Sequence, residues 1–383
     1  MHSTNLIRAT LLVGLLGVPL QAPGRLGLSS HGALSQRGRL NGQASCTVPD
    51  SVTGLENRFR LARVVPLQVP DTTPFGSVDF VKISPSGNSM LVDRADYSLK
   101  LFDSEGSFIR TIGKRGRGTG GFERLADAAF IDDSLIVALD DGLFRMVFFD
   151  LEGNALRENA LQIRPVGGVD AYDSVIVVAG LGPLGPVTRT PVDSLYSIHF
   201  LSLGGEVILR ALRTPPSFSA RPEAAVQRIP LLDVSESPSG ATTVFVTWLV
   251  DDEIVEIGVD GHTLRVAHLP ENEHFVRAEQ SLDTLSDRSL RELLFHTSPV
   301  IRVIASRSLV VVGYFAAFKG EGQVRYNVYD RRLRLIVSDT SGPPLYTARG
   351  DTLIGLRRAP VGTALRRQMI YLVPCPSLTA ATK

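Results

Sequence analysis

Three aspartates, Asp79, Asp127 and Asp233, stand at equivalent places when counted back from a strand motif that recurs along the chain. The count allows for a turn shortened by three residues in the second copy. If the fold brings these carboxylates to one point, each raises the pKa of the others unless a cation neutralises them. Clustered oxygen donors suit a hard ion, so Ca²⁺ is the cofactor such a site would take. The competing use is structural, with each aspartate accepting hydrogen bonds from the backbone of a neighbouring unit.

Other chemistry is thinly represented. The run Gly113 to Gly121 is rich in glycine, and backbone amides in such a loop can cradle an anion. It lacks the Gly-Lys-Ser/Thr order, and the segment that follows reads as a strand rather than a helix, so it serves as a linker. His262, His268 and His274 recur every six residues, a spacing that neither a helix nor one face of a strand converts into a ligand set. Ser84-Pro85-Ser86-Gly87 and Ser237-Pro238-Ser239-Gly240 read as tight turns, not as the Gly-x-Ser-x-Gly elbow that exposes a nucleophile. No catalytic residue can be named.

The elements that must hold these residues come from the motif itself: a turn residue, Ser or Thr, then three mostly aliphatic residues. Its six copies are Asn88 to Val92, Asp133 to Val137, Asp173 to Val177, Thr242 to Val246, Arg307 to Val311 and Asp351 to Gly355. Aliphatic and β-branched content predicts a buried strand, and the polar entry predicts a tight turn. A second strand follows each copy. Asp93, Phe102, Asp103 and Gly106 recur 47 residues later as Asp140, Phe149, Asp150 and Gly153, which keeps strand, loop and hairpin in one register. Each unit then ends in an outer strand, such as Ser107 to Ile112.

Six such units of about four antiparallel strands predict an all-β fold, a six-bladed β-propeller. A β-sandwich would not need the same inner motif six times. The last unit has strands near Leu345, Thr352 and Arg367 to Val373 but lacks a fourth, which the alternating segment Phe59 to Leu67 can supply. The last blade is therefore expected to close on an N-terminal strand. Closure would bring Cys46 and Cys375 into one neighbourhood, as a candidate disulfide. Residues 214 to 230, rich in proline, and residues 271 to 298, with a short helix capped by Ser286, are expected insertions.

Phe75 to Phe122 resembles the repeat of bacterial six-bladed β-propellers related to NHL-repeat proteins. The likeness rests on Val92-Asp93, on Leu101-Phe102-Asp103-Ser104-Glu105-Gly106 at the hairpin, on Ile112-Gly113 and on the run to Phe122. It holds over residues 75 to 153 and degenerates beyond. The resemblance implies a platform for binding a ligand or a protein, although some relatives are lyases or metal-dependent lactonases. The lactonase-like relatives need a Glu and Asn ligand set that is not identifiable in this chain.

Loops after each second strand share a face with the blade-to-blade linkers. Asp93, Arg94, Asp140, Trp248, Asp251 and Tyr314 sit in or beside these loops, and their mixture of aromatics and both charges suits a recognition surface. They are the candidate ligand-binding residues, with ordinary solvated loops and a Trp248 packed between blades as the plainer alternative. Forty basic and 39 acidic residues give a formal charge of +1, which leaves no electrostatic footprint for nucleic acid. The apolar run Ala9 to Leu20 is too short to span a bilayer and reads as an export signal over residues 1–22. A flexible leader over 23–57, the propeller over 58–375 and a tail over 376–383 complete the organisation. The expected protein is an exported binding module, periplasmic, cell-surface or extracellular, for a protein or small-molecule ligand, with no transmembrane segment in the mature chain. The alternative is a cation-dependent hydrolase or lyase working at the mouth of the central channel.

Overall fold

The computed structural model describes residues 54–70, 73, 78–181, 196–213, 229–272, 275, 298–316, 324–358, 367–376 and 378. The export segment, most of the leader and of the tail, Cys46 and both expected insertions lie largely or wholly outside them. Apart from a 3-10 turn at Leu55–Asn57, the long described elements are strands arranged in six four-stranded antiparallel sheets. Blade 1 comprises Val78–Ile83, Ser89–Asp93, Ser98–Phe102 and Phe108–Ile112. Blade 2 comprises Leu125–Phe130, Leu135–Asp140, Arg145–Asp150 and Ala155–Ala160. Blade 3 runs through Arg164–Tyr172, Val175–Leu181, Tyr196–Leu201 and Val207–Arg213. In blade 4 the strands are Pro230–Glu236, Thr242–Trp248, Glu253–Gly258 and Thr263–His268. Those of blade 5 are Val300–Ala305, Leu309–Phe315, Val324–Asp330 and Leu335–Ser341. Blade 6 takes Leu345–Arg349, Thr352–Arg358 and Arg367–Pro374, and its fourth strand is Phe59–Pro66, from the other end of the chain. Phe59 pairs with Pro374 and Pro66 with Gln368, so the ring closes as the missing strand requires.

Burial explains why the motif is legible. The six recurring strands are the second in each blade, sandwiched between sheets on both sides. Ser89–Asp93 and Ser98–Phe102 are buried at every position, so they read as continuous rather than alternating apolar runs. Outer strands such as Thr263–His268 are largely exposed and correspondingly polar. Each hydrophobic cluster joins two adjacent blades. Met90, Leu99 and Leu101 of blade 1 pack with Phe122 and Ala138 of blade 2. The last joint is made by Val65, Leu356 and Met369 of blade 6 against Val81, Leu91 and Phe102 of blade 1. No blade buries both faces alone, so the ring is one cooperative unit.

Two hairpin glycines show how tightly neighbouring blades meet. Gly106 has φ +85 and closes the outer hairpin of blade 1. A β-carbon there would strike the Pro66 carbonyl oxygen and come within 2.6 Å of Val65 Cγ1, both on the closing strand. Gly113, φ +75, lies under the Phe122 ring where the chain leaves blade 1.

Candidate functional site

The inner strands bring polar side chains to the middle of the ring. Lys82, from blade 1, donates to the Val169 carbonyl of blade 3 at 3.0 Å. Its ammonium lies 3.8 Å from Asp127 Oδ2 and 3.7 Å from Asp170 Oδ2. The carboxylates also stitch consecutive blades. Asp127 Oδ2 accepts the Val169 amide at 3.0 Å, Asp170 Oδ2 accepts that of Val234 at 3.3 Å, and Asp233 Oδ2 accepts that of Ala305 at 2.7 Å. Blades 2, 3, 4 and 5 are thus joined in turn by the same device. Arg302 of blade 5 spans the hub in the other direction, donating to the Asp79 carbonyl of blade 1 at 2.9 Å. It stacks 4.3 Å from the Tyr346 ring centre and 5.5 Å from that of Phe80.

The expected aspartate cluster is therefore corrected. Asp79 sits at a register shift beside Asp93, Asp127 faces Leu139, and Asp233 lies deeper, opposite Phe245, so the three are not at one height. Among the described residues no three His, Cys, Asp or Glu side chains are grouped to hold a metal ion. An ammonium, Lys82, faces Asp127 and Asp170. Burial alone would lower its pKa, but Asp170, Asp127 and Asp233 outweigh burial and hold it above the ordinary lysine value. Burial, then the Asp170 charge, pushes Asp233 well above the usual carboxylate range, and a side-chain hydrogen bond joins the two. Burial likewise raises Asp127 against the pull of Lys82, and raises Asp79 against that of Arg94.

The face carrying the linkers and the loops after each second strand, called the linker face here, holds the other candidates. Asp93, 0% exposed, accepts the Asp96 amide at 3.2 Å. Asp140 is equally buried and accepts amides from Glu123 at 3.1 Å, Arg124 at 3.0 Å, Gly142 at 3.2 Å and Leu143 at 3.3 Å. Both carboxylates tie their loops down as an Asx turn does. Trp248 is buried in the cluster between blades 3 and 4, as the plainer reading had it. Tyr314 is buried too, donating to Asp339 Oδ1 at 2.7 Å with Phe275 edge-on at 5.1 Å. Of the six candidates, only Arg94 and Asp251 keep part of their surface exposed, on blades far apart around the ring. Asp93, Asp140, Trp248 and Tyr314 are buried because a polar or aromatic residue at the end of a doubly buried strand is held by the loop it caps.

Residues that sequence reasoning passed over take their place. Arg124 Nε pairs with Asp141 Oδ1, and its Nη2 donates to the Asp141 carbonyl at 3.3 Å. Arg164 begins the inner strand of blade 3, with its guanidinium 5.8 Å from the Phe144 ring centre. Phe144 and its counterpart Tyr97, 47 residues earlier, both adopt positive φ, at +50 and +51. Arg115 stacks over Tyr97 at 4.8 Å, so the pairing of arginine with a loop aromatic repeats. The 47-residue register, which carries Tyr97 onto Phe144, was the available signal.

Cys375 is 2% exposed just after the last strand. Cys46 lies outside the described residues, and the pairing of the two is carried as a prediction below. No helix among the described residues is long and apolar enough to cross a membrane.

Comparison with known proteins agrees with this architecture. Residues 46–173 match DUF5128, a family of six-bladed β-propellers. A Bacteroides fragilis protein named as exported has a similar structure, with TM-score 0.58 and 14% identity over 84% of this chain and 97% of that one. A member of the DUF4221 family from Bacteroides vulgatus gives TM-score 0.60 and 11% identity, over 82% of this chain and 97% of that one. At such identities the likeness is one of fold alone. No curated protein matches the sequence. Six antiparallel sheets closed by an N-terminal strand, together with these likenesses, identify the chain as a six-bladed β-propeller.

Proposed function

We propose that the protein is an exported binding module that takes its ligand on the linker face over blades 1 to 3 and performs no catalysis there. One contrast carries the reading. The carboxylates of the hub are engaged in joining blades and in holding Lys82. On the linker face, by contrast, Arg124 and Arg94 act on Asp141 and Arg94 on Asp79, while Asp93 and Asp140 are spent on capping loops. Polar groups occupied in this way are ill-suited to proton transfer or metal ligation, whereas partly exposed arginines suit recognition. Export is supported by the apolar segment Ala9 to Leu20 and by the name of the Bacteroides fragilis protein of similar fold.

The test is a screen of small molecules and short peptides by ligand-observed NMR on two labelled variants. Thr119→Cys carrying a bulky maleimide blocks the linker face, where Thr119 is exposed, and Ser239→Cys carries the same group on the opposite, hairpin face. Hits should be lost with the first label and kept with the second. The reverse pattern, or turnover of a lactone or ester that a chelator abolishes, would overturn the proposal.

A further inference from the structure

Charge is distributed unevenly around the ring. The four strands of blade 6 contain Arg60, Arg63, Arg349, Arg357, Arg358 and Arg367 and neither aspartate nor glutamate. Blade 4 leans the other way, its strands holding Asp233, Glu236, Glu253 and Glu256 against Arg265. A chain whose formal charge is only +1 thus carries a local excess of cations on the blade that closes the ring. Fixed charges of one sign along one wall favour ligands of the other.

The same blade borders a cavity. A volume of about 290 Å³ is lined by Phe59, Leu61, Pro343, Arg357, Ile370 and Leu372. Strand register explains the lining: Leu61 pairs with Leu372, Gly355 with Ile370 and Arg357 with Gln368, so alternate positions of three strands share one face. Phe59, Ile370 and Leu372 are at most 3% exposed and belong to the core between blades 5 and 6, which makes them the floor. Pro343, whose carbonyl accepts from the Tyr326 hydroxyl at 2.9 Å, adds a wall from the chain between the two blades. Leu61, 46% exposed, and the exposed Arg357 form the rim.

Exposure of Leu61 is not in itself a signal, since Ile109, Leu156, Ile208 and Leu264 are exposed on the outer strands of blades 1 to 4. Blade 6 differs in setting its exposed aliphatic beside a cavity that also has a cation on its rim. Among the described residues Arg357 has no ion pair, and its hydrogen bond runs from Nε to a neutral acceptor, Gln368 Oε1, at 3.1 Å. A guanidinium held through Nε keeps its two terminal nitrogens for a bidentate contact.

We infer that this cavity binds a small amphiphilic carboxylate, its acyl chain seated on Phe59, Ile370 and Leu372 and its carboxylate on Arg357. The site is separate from the linker face over blades 1 to 3 and does not depend on that reading. An apolar cavity of roughly 150 Å³ is enough to take up benzene, so this one accommodates a chain of several carbons. An apolar floor with one polar group at its edge is the usual composition of a small-molecule pocket, the polar group fixing orientation. The one-sided charge decides the headgroup: an amine would meet only arginines, and an alcohol would forgo the charge-assisted bonds.

The experiment titrates the purified protein with butanoate, hexanoate and octanoate, followed by saturation-transfer NMR, with acetate as a head-only and 1-octanol as a tail-only control. Octanoate should bind and acetate should not, with affinity rising by up to about fourfold for each added methylene. Arg357→Gln, at an exposed position, should weaken octanoate by about threefold or more and leave 1-octanol unchanged. Leu61→Glu should abolish octanoate binding, whereas Ile109→Glu, a like exposure on blade 1, should not alter it; if Leu61→Glu fails to fold, Arg357→Gln carries the test. The label at position 119 should have no effect. Absence of octanoate binding, an affinity independent of chain length, or equal affinity in Arg357→Gln overturns the inference. So does loss of octanoate with the label at 119, which would place it on the linker face, and so does sedimentation with phosphatidylglycerol vesicles by a protein that ignores octanoate, which would make blade 6 a membrane contact. None of these outcomes alters the test of the linker face, which rests on other ligands and on the two labels.

Discussion

Replacing Lys82 by Met removes the only ammonium that, among the described residues, faces Asp127 and Asp170, while keeping most of the side chain's bulk. Each attraction, at 3.7–3.8 Å with the lysine side chain 13% exposed, is worth about 4 kcal/mol at an effective dielectric near 20, before the cost of dehydrating the ions. Breaking a buried pair from one side typically costs about 3–5 kcal/mol, because the remaining charge is stranded. The loss has a ceiling, since one carboxylate can take up a proton in place of the lost cation. From an ordinary carboxylate pKa, that protonation costs about 5 kcal/mol near pH 7.5 and about 1.5 kcal/mol near pH 5, at roughly 1.4 kcal/mol per unit. Loss of Lys82 raises the folded-state pKa of Asp127 further, so the penalty is fully present above that pKa and fades as pH falls through it. Urea unfolding followed by tryptophan fluorescence should therefore show Lys82→Met destabilised by about 3–5 kcal/mol near pH 7.5 and by about 1–2 kcal/mol near pH 5. A penalty below about 1 kcal/mol near neutral pH, or one that does not shrink on acidification, would refute the account of the hub as a cation held by carboxylates.

Asp233 gives the opposite expectation. Its folded pKa lies above its unfolded value, so its favourable contribution is complete below the unfolded pKa and is lost as pH rises through the folded one. Asp233→Asn can still accept from the Ala305 amide and donate to Asp170. It should therefore flatten the pH dependence of stability, and a profile that keeps the wild-type slope would argue against the raised carboxyl. Gly106→Ala forces positive φ on a side chain that meets the closing strand, and calorimetry should find a loss of about 2 kcal/mol or more. Mass spectrometry without reductant should find one peptide pair joining Cys46 to Cys375, and reduction should lower the melting temperature by loosening the constraint on the unfolded chain. Two alkylated thiols in the native protein would end that expectation.

The architecture could be read from the chain because its second strands are covered on both sides. Leu91, Ile136, Ile176, Phe245, Val310 and Leu353 are all 0% exposed, and such positions admit little besides aliphatic and aromatic residues. The closing strand was legible as a deficit in the last unit. The candidate site was harder to read for a geometric reason. Asp127, Asp170 and Asp233 act alike, each bonding the next blade, yet register shifts such as those at Leu125/Asp127 and Pro165/Val169 displace them along their strands. Counting residues from a motif cannot follow such bulges. Lys82 and Arg302 escaped notice because each acts on a blade two places around the ring, which no local spacing encodes. Tyr314 and Trp248 stayed open to both readings because residue type alone does not distinguish a capped, packed strand end from an open loop.

The pairing of Phe59–Pro66 with Arg367–Pro374 joins segments about 300 residues apart, a contact order that places ring closure at the slow end of folding. If the chain crosses a membrane from its amino end, the first strand to emerge is the last to find its neighbour. Until then both edges of the growing arc carry unpaired backbone groups, the condition that invites association with other chains. Arg60 and Arg63 on that first strand put positive charge on the waiting edge, and in the finished ring Arg63 is 2.7 Å from Glu105 of blade 1. Loss of those two charges is expected to be felt as aggregation during folding before it is felt as instability of the folded ring.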